Sequence, residues 1–184
     1  MSEKYKIFDQ NKIYFVTFAV VYWVDVFTRR EYGDLLIESL AYCQKEKGLE
    51  IYAWCIMSNH IHLIVGRSGK WKIEEIIRDF KKYTSVHICR AIATNVKESR
   101  REWLLELFTK AASESKKHAK YQFWQNEYHP IELNTNEMMD QRLNYIHNNP
   151  VESGIVEKGD DYVYSSARDY HLNMRGLLSI KFIE

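Results

Sequence analysis

Two histidines separated by one residue, His60 and His62, stand in the run Trp54-Cys55-Ile56-Met57-Ser58-Asn59-His60-Ile61-His62-Leu63-Ile64-Val65. On an extended strand, alternate side chains project to the same side about 6.6 Å apart, so both imidazoles can converge on one small cation while Ile61 turns into a core. The same spacing also suits a polar strand face that binds nothing. Further along, Tyr145 and Asn149 are four residues apart, one turn apart on a single face of a helix, so a phenol and an amide would meet the same site. Tyr145 lies off the core stripe of Met139, Leu143 and Ile146, beside Met138, Arg142 and Asn149, a position that a boundary aromatic would also take. Asn149-Pro150 reads equally well as the end of that helix.

These residues need elements to hold them. The segment 11–27 is β-branched and aromatic on both faces and predicts a first strand central to a covered sheet. Leu36, Leu40 and Cys43 recur at helical spacing, with Gly48 as a stop. Segments 49–57 and 60–65 predict two strands joined through Ser58-Asn59. A long helix follows, with Ile73, Ile76, Ile77, Phe80 and Thr84 on one face and Arg78, Lys81, Lys82 and Ser85 opposite; His87 falls on the apolar side and reads as a core histidine. The basic face is either a solvated surface or a set of phosphate contacts. Residues 97–120 are charged and helix-prone and read as an insertion, with 111–120 as a mobile basic connector. Segments 121–125 and 129–133 suggest a strand pair or bent strand, Pro130 confining it to an edge. Asn134-Thr135-Asn136-Glu137 opens the last helix, which Asn149-Pro150 should end. The order predicts one α+β domain over 1–184, ferredoxin-like or RRM-like, in which an antiparallel sheet carries helices on one face and a C-terminal helix bears Tyr145.

Composition bounds the function classes. The chain has 184 residues, a hydrophobic fraction of 46% and a net charge of +1, so any nucleic-acid surface must be local. No apolar run approaches the ~20 residues of a membrane span, and the N-terminus lacks the pattern of a signal peptide, which predicts a soluble cytoplasmic protein without a membrane partner. Cys43, Cys55 and Cys89 are odd in number and lie in apolar surroundings, as buried free thiols do.

His60-Ile61-His62, followed in order by Tyr145-Ile146-His147-Asn148-Asn149-Pro150-Val151, resembles the single-tyrosine HUH transposases, and within them most the IS200-like, REP-associated tyrosine transposase branch. The likeness extends to Phe80-Lys81-Lys82-Tyr83-Thr84-Ser85, Phe123-Trp124-Gln125 and Tyr164-Ser165-Ser166-Ala167-Arg168-Asp169-Tyr170. It implies a DNA transposase that cleaves and rejoins single-stranded DNA through a 5′-phosphotyrosine intermediate. By the same resemblance Tyr145 is the nucleophile, His60 and His62 bind a divalent metal, and Asn149 replaces the third ligand, which is Gln in insertion-sequence relatives; His147 or a water are alternatives for it.

A phenol with a pKa near ~10 and an anionic phosphodiester both need nearby positive charge to react. Neutral imidazoles and an amide would leave the cation its full charge; such nitrogen and oxygen ligands favour Mn²⁺ on affinity and admit Mg²⁺ on abundance. Arg78, Lys81 and Lys82 are candidates for backbone contacts, Arg142 lies near the nucleophile, and Trp124 could stack a base or sit in the core. The resemblance implies DNA hairpins with adjacent guide sequences as partners, and a homodimer as one arrangement. Tyr162, Tyr164 and Tyr170 read as packing residues, and Ser165-Ser166 shows no neighbouring base for hydrolase chemistry. Two other classes stay open: a non-catalytic single-stranded nucleic-acid-binding module, and a metal-dependent hydrolytic nuclease.

Overall fold

A computed structural model describes residues 7–115, 119–126 and 128–182. The described strands and α-helices are β1 (Tyr14–Ala19), α1 (Arg30–Lys47), β2 (Leu49–Ile56), β3 (His60–Arg67), α2 (Ile73–Thr94), α3 (Arg101–Glu114), β4 (Ile131–Glu132), α4 (Asn136–Glu152) and α5 (Ala167–His171), with single 3-10 turns at Val21–Trp23 and Gly159–Asp161. The four strands form one antiparallel sheet in the order β2-β3-β1-β4, the α+β arrangement that the pattern of elements predicts.

Strand alternation divides the interior in two. Tyr14, Val16 and Phe18 of β1, with Ile61, Leu63 and Val65 of β3, face α1 and α2 in the larger core. The intervening residues Phe15 and Ile64, with Ala53 and Cys55 of β2, face the other way, where Ile146 of α4 covers them. The pairing Thr17↔His62 and Ala19↔His60 places both histidines on this second face. Helices thus cover both faces, and α4 lies over the one that carries the histidines.

Local signals explain the element ends. Gly48 closes α1 at φ +70, where any Cβ would collide with the Ser68 carbonyl. The backbone N–H of Lys72 donates to Glu75 at 3.0 Å as α2 begins, and the Thr135 hydroxyl accepts from the Met138 N–H at 3.2 Å to start α4. Cys43, Cys55 and Cys89 are buried free thiols, as expected. Among the described residues no helix is long and apolar enough to cross a membrane.

Several expectations are corrected. The first strand stops at Ala19 because the next backbone groups are drawn elsewhere: the Val20 N–H donates to Asn59 O and the Val21 N–H to Phe123 O, each at 2.9 Å. Segments 121–125 and 129–133 do not pair with one another. Trp124 bridges to Val20, whereas β4 pairs with Tyr14 and Phe15 at the other end of β1. The supposed connector is helical through Glu114 with Ala111 and Ala112 buried, and its residues 116–118 lie outside those described. Pro150 does not end α4 at Asn149; it sits in the final turn, which continues to Glu152. His87 is no core residue, for its half-buried ring stacks on Tyr83 at 3.8 Å and its Nδ1 meets the Tyr83 carbonyl. The C-terminal segment also extends the sheet: Ile56 N–H donates to Tyr164 O and Ser166 N–H to Trp54 O, covering the edge of β2.

Candidate active site

β3 and α4 bring four of the residues singled out in the sequence together. His60 Nε2 and His62 Nε2 are 2.9 Å apart, and the Asn149 amide Nδ2 lies 3.4 Å from His62 Nε2. The Tyr145 ring stands edge-on to the His62 ring, 5.2 Å between centroids, and edge-on to Phe15 at 6.0 Å. His62 is buried, whereas Tyr145 is 39% exposed, so the phenol sits at the mouth of the site. Arg142, one turn before Ile146 on α4, lays its guanidinium over the Phe15 ring at 5.0 Å.

The surrounding hydrogen bonds fix how the imidazoles face. Asn59 Nδ2 donates to the Trp23 carbonyl at 3.1 Å and to Asp25 Oδ1 at 3.0 Å, which turns its Oδ1 toward His60 Nδ1 at 2.6 Å. An oxygen acceptor there places the proton on Nδ1 and leaves the Nε2 lone pair pointing into the site. Thr17 Oγ1, 2.8 Å from His62 Nδ1, can act alike on the second ring. Burial pushes the His60 imidazole down to about 4, partly opposed by Asp25. Burial, helped by the charges of His60 and Arg142, pushes His62 down to about 3. Both rings are therefore neutral at pH 7, and their Nε2 atoms, 2.9 Å apart, either share one proton, when the Thr17 hydroxyl donates to His62 Nδ1, or turn two lone pairs toward a common cation, when it accepts.

The donor set fits such a cation. Ligand atoms bonded to one divalent ion at about 2.1 Å lie roughly 3.0–3.4 Å from each other, close to the separations found here. Among the described residues no group of three His, Cys, Asp or Glu side chains could hold a metal, so the third protein donor would be the Asn149 amide, whose Oδ1 and Nδ2 exchange places on a half-turn. His147 does not serve. It is buried on the far side of α4, with Nε2 2.9 Å from Ser166 Oγ, which in turn accepts from the Trp54 N–H at 3.0 Å. This His147–Ser166 pair is the base that seemed missing beside Ser165-Ser166, yet both residues are fully enclosed, and the pair fastens α4 to β2.

The other candidates lie elsewhere. Arg78 and Lys82 are exposed on α2, across the sheet from the histidines, and Arg78 pairs with Asp79 at 3.0 Å. Lys81 donates to the Gln125 carbonyl at 2.9 Å over the Phe18 and Tyr128 rings. Trp124 is buried, with its indole N–H on Thr84 Oγ1 at 3.0 Å, so a stacking role is corrected to a core role. The hydroxyls of Tyr162, Tyr164 and Tyr170 are spent on Ile56 O, Asp34 and Tyr52 O. Sequence reasoning missed Thr17, whose relation to His62 exists only in the strand register, and Asn59, which adjacency to His60 could have suggested. It also missed Trp23: this indole is 55% exposed and edge-on to His60 at 5.6 Å.

A family model described as "Transposase IS200 like" matches residues 10–115, a span that includes both histidines and stops short of Tyr145. Comparison with curated proteins finds no match. Among solved structures, the chain is similar to a REP-associated tyrosine transposase bound to a REP hairpin, with a TM-score of 0.65 and 19% identity over 100% of this chain and 94% of that one. It is also similar to a protein from Deinococcus radiodurans described as a transposase, with a TM-score of 0.45 and 19% identity over 80% of this chain and 97% of that one. The first likeness establishes a shared fold.

Proposed function

We propose, from the premise that the chain belongs to the IS200-like transposase family, that this transposase cuts and rejoins single-stranded DNA through a 5′-phosphotyrosine on Tyr145. The observation that carries this reading is the position of the Tyr145 ring, exposed and edge-on to His62, next to the convergent Nε2 atoms of His60 and His62.

In the proposed step Tyr145 Oη gives up its proton and bonds to phosphorus as the bond to the 3′ oxygen breaks. The 3′ oxygen leaves as a hydroxyl, and the 5′ phosphate stays on the enzyme. Attack by another strand's 3′-OH reverses the exchange, so one phosphodiester replaces another and no external energy source is needed. No hydrogen bond to the Tyr145 hydroxyl exists among the described residues, and its exposure allows the proton to leave to water. Arg142, held over Phe15, can pair with a phosphate oxygen beside the nucleophile.

His60, His62 and Asn149 would hold a divalent cation, Mn²⁺ or Mg²⁺, which when bound supplies Lewis-acid stabilisation of the phosphate charge. Burial keeps both imidazoles neutral for that role. The hairpin bound in the similar solved structure supports DNA hairpins as the substrate class, to which the proposal adds adjacent guide sequences. Because Tyr145 meets the histidines of its own chain, the geometry supports cleavage within one chain and requires no homodimer.

The test is a denaturing gel of purified protein with labelled hairpins from the flanks of its own gene, with and without Mn²⁺ or Mg²⁺. A protein–DNA adduct that needs metal and is absent in Tyr145→Phe is the expected result. Cleavage that survives Tyr145→Phe and fails in His60→Ala would replace this reading with a hydrolytic nuclease. Binding without cleavage by the wild type would replace it with a binding module.

A further inference from the structure

Trp23 lies beside the histidines and, unlike Trp54 and Trp124, does not fill the core. Trp54 and Trp124 are buried, Trp71 lies under the Lys47 and Lys70 ammonium groups, and Trp103, 50% exposed, is on α3. Trp23 is 55% exposed and edge-on to His60, with 5.6 Å between centroids. Its backbone is not free to choose this position. Tyr22 and Trp23 both carry positive φ, 56 and 55, a region uncommon for aromatic residues. The conformation is fastened from both sides: Trp23 N–H donates to Val20 O at 3.1 Å, and Trp23 O accepts from Asn59 Nδ2. The same Asn59 meets His60 Nδ1 through its Oδ1, so indole and imidazole are set by one amide. Tyr22, the neighbouring aromatic, is committed to α3, its hydroxyl on Glu114 at 2.5 Å and its ring near Lys110.

We propose that Trp23 is a stacking platform for one unpaired nucleobase adjacent to the cleaved phosphodiester, an assignment that rests on the reading of the site as a single-strand DNA cleavage centre. A phosphodiester lying against the His60 and His62 nitrogens brings its two flanking nucleosides within reach of this indole. An unpaired base gains from an aromatic face irrespective of its identity. Such a contact also adds affinity without positive charge, in keeping with a chain of net charge +1.

The experiment uses the full chain and the flank hairpins. The length of the strand released by the wild type identifies the cleaved phosphate, and an abasic site is then placed at each of the two nucleotides beside it. Affinity is measured in the Tyr145→Phe background, which does not turn over, and adduct formation in the wild-type background. Trp23→Ala should weaken binding and slow adduct formation by about 5- to 100-fold, and Trp23→Phe should recover most of the loss. One abasic position should cost the wild type a similar factor and cost Trp23→Ala almost nothing further. If intact and abasic DNA differ by the same factor with tryptophan or alanine at position 23, the platform is overturned; this comparison uses ratios within each protein and survives a partial folding defect. If the wild type forms no adduct with any flank hairpin, the cleavage reading itself falls and the platform with it.

Discussion

Asn59 precedes His60 and makes three polar contacts through one amide, a small group that decides which imidazole nitrogen faces the site. Partners of this kind typically change metal affinity by about 10–100-fold. Asn59→Ala should therefore weaken Mn²⁺ binding by roughly that factor in a calorimetric titration, with thermal stability falling much less. Thr17→Val, which keeps the shape and loses the oxygen at His62 Nδ1, should act in the same direction. Unchanged Mn²⁺ affinity in both variants would show that the tautomers are set by other means. Tyr145 is different in kind: its exposed hydroxyl has no protein partner among the described residues, so Tyr145→Phe should leave the unfolding free energy within about 0.5 kcal/mol while removing the covalent product.

The helix that carries Tyr145 is held by packing on one side and by a short polar chain on the other. Ile146 fills the second core cluster against Phe15 and Ile64, and His147 reaches Ser166, whose hydroxyl also accepts from the buried Trp54 N–H. Ser166→Ala would strand both the Trp54 N–H and the His147 Nε2. The expected cost is about 1–3 kcal/mol in urea unfolding, because an unpaired buried group loses water without replacement. The rate of adduct formation should fall as well, since α4 sets the distance of Tyr145 from His62. A stability loss with an unchanged rate would mean that Ile146 and the sheet alone fix the nucleophile. Tyr22 and Trp23 offer the contrasting case of an element that ended early. Their left-handed backbone costs roughly 1–2 kcal/mol per residue, which the surrounding hydrogen bonds must offset.

Across the whole molecule, Glu98 ties distant parts of the chain. Its buried carboxylate meets Arg29 at 2.6 Å and Arg100 at 3.1 Å, linking the start of α1 to the approach to α3. Burial alone would raise its pKa, but hydrogen bonds and charge from Arg100, with a hydrogen bond from Arg29, outweigh it and hold the carboxyl below its ordinary value. A lowered carboxylate contributes stability above the unfolded pKa of about 4.3, and that contribution is lost as pH falls through the lower folded value. Glu98→Gln should destabilise the neutral protein by roughly 1–3 kcal/mol, discounted for the part-exposed arginines, and should flatten the acid limb of the stability curve. Charge gives a second expectation at this scale. With net charge +1 and Arg142 as the cation beside the nucleophile, binding to unstructured single strands should have a log–log salt slope shallower than about −3, corresponding to few phosphate contacts. A steeper slope measured by fluorescence anisotropy would point to a basic track beyond this site, with Arg78 and Lys82 on α2 the first candidates.

Periodicity made the strands around His60 and His62, the α1 and α2 stripes and the Tyr145–Asn149 face legible, because side-chain direction follows from the repeat of a single element. The sequence by itself therefore determined the α+β class, the separation of Ile61 from its flanking histidines and the pairing of Tyr145 with Asn149 on one helical face. It did not determine that α4 crosses the histidine face, that Trp124 is core while Trp23 is outside, or that Thr17 and Asn59 orient the imidazoles. Those relations join residues far apart in the chain: strand register puts Thr17 opposite His62, and the turn after Ala19 brings Trp23 back to Asn59. Even Pro150, a helix terminator by local rules, is accommodated because the last turn of α4 continues to Glu152 without its missing N–H. Local geometry fixes which residues share a face; only packing and long-range hydrogen bonding decide which faces meet.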